Sequence, residues 1–184
     1  MSNADRRTTS RHSPAAGNPA AASNSAGTNL CRIRRAVPDD VPAIYRLIRE
    51  LAEYERALDR LENTPEQLHT DGFGDNPLFD CFVAEDENSA EIVGISLTYF
   101  RYSTWKGRCL YLEDLIVTAE RRGEGIGKAL LERTIRYAQE TGSRLVIWQV
   151  LDWNSSAIEF YKAFGAELQP EWVNCVLPSE RFRD

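Results

Sequence analysis

The amino-acid sequence predicts an α/β (α+β) domain, a mixed sheet with helices on its faces, and three observations carry that class. Apolar residues switch repeatedly between a two-residue and a 3.6-residue period, in the order β-α-α-β-β-β-α-β-α-β and without internal repeat. Two strand-like runs, Asp80 to Ala84 and Ile92 to Phe100, flank a polar stretch from Glu85 to Glu91, the pattern of an antiparallel hairpin. A glycine-rich turn then joins an apolar strand to an amphipathic helix.

Residues 1–29 are Ser, Ala, Asn, Pro and Gly with almost no large apolar side chain, so they cannot bury enough surface to offset ordering entropy and read as a flexible tail. Arg6, Arg7 and Arg11 faintly resemble a transit peptide, but no apolar face accompanies them. The expected domain is therefore 30–184. Cys31 to Ala36 alternates as a short strand, and Pro38 with Asp39 or Asp40 supplies a helix start. Val41, Ile44, Tyr45, Ile48, Leu51 and Ala52 line one face of a helix reaching about Glu55. Thr64-Pro65-Glu66-Gln67 predicts a capping box that opens a second helix ending at Gly72.

After the hairpin comes a strand over Arg108 to Val117, which holds two adjacent acids in an apolar run. The next helix spans about Gly125 to Glu140 and is closed by Gly142. Leu145 to Leu151, broken only by Gln149, predicts a central strand. Ala157, Phe160, Tyr161 and Phe164 mark a last helix closed by Gly165, and a final strand is expected within residues 167–177.

Composition narrows the function. With 42% apolar, 27% charged and 10% aromatic residues the chain is that of one soluble domain, and no run approaches the roughly 18 apolar residues of a membrane span. Cys31, Cys81, Cys109 and Cys175 form no C-x-x-C pair, which argues against a zinc cage and for reduced thiols in the cytoplasm. The formal charge is -6; the first 29 residues carry +2, which leaves -8 on the rest. That balance disfavours nucleic acid and favours small cationic partners.

The strongest local signal is Arg121-Arg122-Gly123-Glu124-Gly125-Ile126-Gly127-Lys128. Three glycines in five residues let backbone approach a ligand, and the free N–H groups of a helix start attract an anion, with phosphate the expected guest. It is not a nucleotide P-loop, because the glycine spacing is one short and Ala129 stands where a hydroxyl would hold magnesium. An ordinary glycine-rich helix entrance is the plain alternative.

Arg122 to Gly127 as R-x-x-G-x-G, followed by D-W-N-x-x-A-x-x-F-Y from Asp152, resembles the GNAT acyl-CoA N-acetyltransferases. L-A-E-Y-E (51 to 55), D-G-F-G-D-N-P (71 to 77), Y-L-E-D-L-I-V (111 to 117), D-W-N (152 to 154) and F-Y-K-A-F-G-A (160 to 166) further resemble diamine (spermidine/spermine) and thialysine N-acetyltransferases, over about residues 32 to 173.

The resemblance implies a GNAT-type, mostly antiparallel sheet and acetyl-CoA as cosubstrate, with no metal. It implies that the coenzyme pyrophosphate lies on Gly123, Glu124, Gly125, Ile126, Gly127 and Lys128 beside Arg122. The pantetheine arm would pair with the backbone of Leu115, Ile116 and Val117, and Asn154 with Ser155, Ser156 and Ala157 would adjoin it. Tyr161 would be the proton donor to the departing thiolate, although periodicity alone places it on a core stripe. Glu113 would relay the proton of the amine through water, while Asp114, Glu55, Tyr54, Trp105 and Trp172 would contact the substrate. Packing in a core or interface is an equal reading of the two tryptophans.

A base is needed because an amine of pKa about 10.4 is neutral in only about one molecule in 2500 at pH 7, a cost of about 4.6 kcal/mol. Alternation sends Glu113 and Asp114 to opposite faces unless a bulge re-aims them. The resemblance also implies a homodimer in which the C-terminal strand packs on the partner. Two departures, Glu53 at a position expected to hold lysine and a chain ending soon after Trp172, leave the amine open. The expected activity is acetyl transfer to a primary amine of a small cation by direct attack in a ternary complex. A protein lysine or N-terminal acetyltransferase is the alternative enzyme, and a non-catalytic acyl-CoA-binding module the alternative of another class.

Overall fold

In the computed structural model, which describes residues 31–182, five strands lie in one sheet in sequence order. They are β1 (Cys31–Arg35), β2 (Asp80–Asp86), β3 (Ile92–Ser103), β4 (Gly107–Val117) and β5 (Val146–Ile147). β1 to β4 run antiparallel, and β5 joins β4 in parallel. This is the mixed sheet that the pattern predicts, and mostly antiparallel as the resemblance implies. The expected tail over residues 1–29 lies outside the described residues.

Helices cover both faces because the strands alternate. Cys81 and Val83 of β2 turn to one side, where α1 (Val41–Tyr54) and α2 (Pro65–Phe73) deliver Ile44, Leu47 and Leu68 to a shared core with Ile95, Leu97 and Ile116. Phe82 and Ala84 turn to the other, where they meet Ile126 and Leu130 of α3 (Ile126–Glu140). A third cluster holds Leu112, Leu131 and Tyr161, the last from α4 (Ser155–Ala163), with Trp148 and Val150 against it.

Four local expectations need correction. Thr64 does accept a hydrogen bond from the Gln67 amide at 3.2 Å, but the Gln67 side chain reaches forward to Asp71 at 2.8 Å, so only half of the capping box forms. α2 continues through Gly72 to Phe73. Gly72 serves close packing, since a Cβ there would sit 2.4 Å from the Phe79 ring.

The predicted central strand Leu145 to Leu151 shrinks to two residues at the sheet edge, pairing only Leu110 with Val146 and Tyr111 with Ile147. Its apolar residues are explained by a cleft instead, because the chain leaves β4 after Ile147 and turns residues 148–151 toward an opening. The final strand expected within residues 167–177 is not formed among the described residues. Leu168, Trp172, Val173, Val176 and Leu177 are exposed, and a two-residue β5 is too short an edge to carry another strand.

Candidate active site

β4 decides the site. It is paired with β3 along its whole length, but the register slips between Leu97 and Thr98: Leu97 faces Asp114 and Thr98 faces Leu112, which leaves Glu113 as an extra residue. The face of the strand changes there. Leu112 packs with Leu131 and Tyr161 on the α4 side and Leu115 also packs against the α3 side, whereas Ile116 joins the α1 core. A bulge is the only way two consecutive acids share a face, and both Glu113 and Asp114 line one cleft.

That cleft, about 190 Å³, lies where β4 and residues 148–151 part. Leu115, Ile116 and Val117 form one wall, Trp148 to Leu151 another, α1 contributes Leu51, Tyr54 and Glu55, and α4 contributes Ser156, Ala157 and Tyr161. Arg122 and Asn154 stand at its rim. Beyond Tyr111 the β5-side edge of β4 has no strand partner, so its backbone groups are available to a ligand.

Three carboxylates share the cleft without a hydrogen-bond or ion-pair partner among the described residues. Among the described residues no buried side-chain nitrogen or oxygen lacks a partner, so the oxygens of Asp114 open onto the cavity. Burial first, then the charges of Glu113 and Glu55, push the Asp114 carboxyl up to about 7. Burial also raises Glu55. Tyr161 is only 9% exposed, with its ring 4.9 Å from that of Trp148. Burial, then Glu55, push its hydroxyl up to about 12, so it keeps its proton throughout the neutral range. Tyr161 is thus both the core residue of the periodicity and a cleft residue.

The residues expected on the coenzyme side form a connected frame. Asn154 caps α4 by accepting from the Ala157 amide at 3.2 Å and also accepts from the Tyr54 hydroxyl at 3.3 Å. Arg122 donates from Nε to the Val117 carbonyl at 3.0 Å, and its guanidinium lies 5.0 Å from the centre of the Tyr54 ring. Gly123 and Gly125 adopt φ of +84° and +83°, with open space over both Cα atoms, and Gly125 caps α3. An L side chain would be strained at either position. The first-turn amides of α3, which have no intrahelical carbonyl to bond, follow at once, so the turn fits a pyrophosphate. Glu124 is occupied by Arg121 at 2.9 Å, and Lys128 lies 3.8 Å from Glu132.

Some expected residues stand apart. Trp105, 82% exposed in the β3–β4 turn, and Trp172, 68% exposed, do not line the cleft. Other residues escaped the sequence reading. Glu50 accepts from the Ala119 amide at 2.8 Å and from the Thr118 hydroxyl at 2.9 Å, tying α1 to the turn that precedes Arg122. Trp148, Gln149 and Val150 were hidden in a run that looked like a buried strand, and Gln149 was its one polar signal.

A profile of the acetyltransferase (GNAT) family matches residues 41–166, and the chain belongs to that family. It is an acetyltransferase, close to the thialysine and polyamine acetyltransferases. A thialysine N-epsilon-acetyltransferase of Bos taurus is 45% identical over 141 residues, covering 73% of this chain and 83% of that protein. The protein of the same name from Mus musculus is 40% identical over 162 residues, covering 83% and 95%. Among solved structures, an aminoglycoside acetyltransferase from an uncultured soil metagenomic sample, in complex with trehalose, superposes with a TM-score of 0.68 at 27% identity. That match covers 82% of this chain and 98% of the other.

Proposed function

We propose that the protein transfers the acetyl group of acetyl-CoA to a primary amine of a small cationic substrate, a polyamine, a diamine or thialysine, by direct attack in a ternary complex. The observation that carries this reading is the meeting of Glu55, Glu113 and Asp114 with the Tyr161 hydroxyl in one cleft, beside the glycine turn and the open edge of β4. An unpaired acidic site attracts an ammonium ion. The names of the thialysine and spermidine/spermine relatives point the same way.

When bound, acetyl-CoA supplies the activated thioester. Arg122 and the turn from Gly123 to Lys128 bind its pyrophosphate, while Leu115 to Val117, Asn154 and Ser155 to Ala157 bind along its arm. Glu113 relays the proton of the ammonium through water, Asp114, Glu55 and Tyr54 help to hold the amine, and the Tyr161 hydroxyl holds a proton for the departing thiolate. No metal enters this scheme.

A homodimer follows the same reading, with the exposed apolar residues Trp172, Val173, Val176 and Leu177 as the surface for a second copy. We also place the protein in the cytoplasm. The four cysteines are free, and no helix among the described residues is long and apolar enough to cross a membrane. The test is release of free thiol from acetyl-CoA in the presence of spermidine, thialysine, lysine, simple diamines and a basic peptide. Turnover with the small dications supports the reading; turnover with the peptide alone replaces it with a protein acetyltransferase.

A further inference from the structure

We infer that Glu50 of α1 is a positioning residue for coenzyme binding: it holds the turn that leads into Arg122 and steadies the Arg122 guanidinium, so that both are set before a pyrophosphate arrives. The inference rests on the function proposed above and deepens its donor side.

Glu50 belongs to the polar face of α1, yet its side chain is only 25% exposed. A free carboxylate this close to an anion site would repel a pyrophosphate. Its oxygens are instead engaged by the turn. Oε1 accepts from the Ala119 amide at 2.8 Å, and Oε2 accepts from the Thr118 hydroxyl at 2.9 Å. Glu120 lies 3.1 Å from the same hydroxyl, which has a single proton to give, so the Ala119 amide is the bond that only Glu50 receives. The Thr118 amide donates to the Val93 carbonyl of β3 at 2.9 Å. The turn is therefore pinned from a strand on one side and from α1 on the other.

Arg122 is held by the same stretch of helix. Residues four apart share a helix face, so Glu50 and Tyr54 reach it together. Glu50 Oε1 lies 3.9 Å from its Nη2, the Tyr54 ring centre lies 5.0 Å from its guanidinium, and its Nε donates to the Val117 carbonyl at 3.0 Å. Arg122 makes no other hydrogen bond among the described residues, which leaves its Nη donors for an anion. Ordering so long a side chain in advance spares binding that entropic cost.

The experiment is calorimetry with acetyl-CoA on the wild type, Glu50→Ala, Glu50→Gln, Arg122→Ala and the double variant Glu50→Ala/Arg122→Ala, with steady-state kinetics on the same proteins. Glu50→Ala is expected to weaken acetyl-CoA binding about tenfold and to raise its KM to match, while kcat and the KM of the amine change by less than about twofold. Glu50→Gln keeps an oxygen for the Ala119 amide and should lose less. In the Arg122→Ala background Glu50→Ala should cost clearly less than it does alone, because the guanidinium it steadies is gone. Unchanged affinity in Glu50→Ala, the same loss with and without Arg122, or a fall in kcat at unchanged KM of acetyl-CoA overturns the inference. A wild type that binds no acetyl-CoA overturns the proposed function itself; a wild type that binds it, and loses it in Gly125→Val but not in Glu50→Ala, overturns this inference alone.

Discussion

The two edges of β4 are built on opposite terms. Toward β3 it is paired from Gly107 to Val117 and backed by side chains such as Ile95 and Leu112 that are almost fully buried; toward β5 it is paired only at Leu110 and Tyr111. The first edge spends every hydrogen bond on stability. The second leaves its backbone unpaired, opens a cleft, and sets three uncompensated carboxylates and a buried phenol around it. One strand thus serves as scaffold on one side and as binding surface on the other, and the slip at Glu113 is where the second role begins.

Substitutions should sort by edge. The largest effect on stability is expected on the β3 side: Ile95→Ala removes a fully buried side chain and should cost about 2–5 kcal/mol in denaturant unfolding. On the open side, Gly125→Val forces a β-branched residue to φ +83° and should weaken acetyl-CoA binding by about 100-fold in calorimetry, at a stability cost of about 1–2 kcal/mol, smaller than that of Ile95→Ala. Unchanged affinity in the folded variant would remove the turn from the site. Tyr161→Phe keeps the ring against Trp148 and removes the proton, so turnover should fall by about 100-fold with stability nearly intact. Wild-type turnover would return Tyr161 to packing alone.

Smaller effects sharpen the same contrast. Glu55→Gln should raise the KM of dicationic amines by about tenfold and leave an uncharged monoamine unaffected, with kcat changed less. An equal effect on all amines would contradict a charge-selective site. The raised carboxyl of Asp114 means that the folded chain holds this proton more tightly than the unfolded chain does. Its ionisation between the ordinary aspartate range and about pH 7 therefore lowers stability as pH rises. Asp114→Asn should raise the melting temperature at pH 8 and do so less at pH 5.

Much of this was legible in the residues. The strand and helix order as far as α4, the glycine turn and the place of Tyr161 on a core stripe could be read from period and motif, because each is a local pattern. The slip at Glu113 could not, since register depends on which residue of β3 lies opposite; the adjacent acids signalled only that alternation was in tension with function. Residues 145–151 misled because lining a cleft and lying in a sheet interior both call for apolar side chains, and only Gln149 told them apart. Glu50 was silent because an acid on the polar face of a helix looks like any solvated charge until Ala119 and Thr118 are seen to meet it.

Hydrogen–deuterium exchange with and without acetyl-CoA tests the division of β4 most directly. Binding should slow exchange over residues 115–117 and 125–128 while residues 94–98 of β3, already paired on both sides, stay as they are. Protection confined to other segments, with acetyl-CoA demonstrably bound, would contradict the claim that the unpaired edge of β4 is where the coenzyme lies.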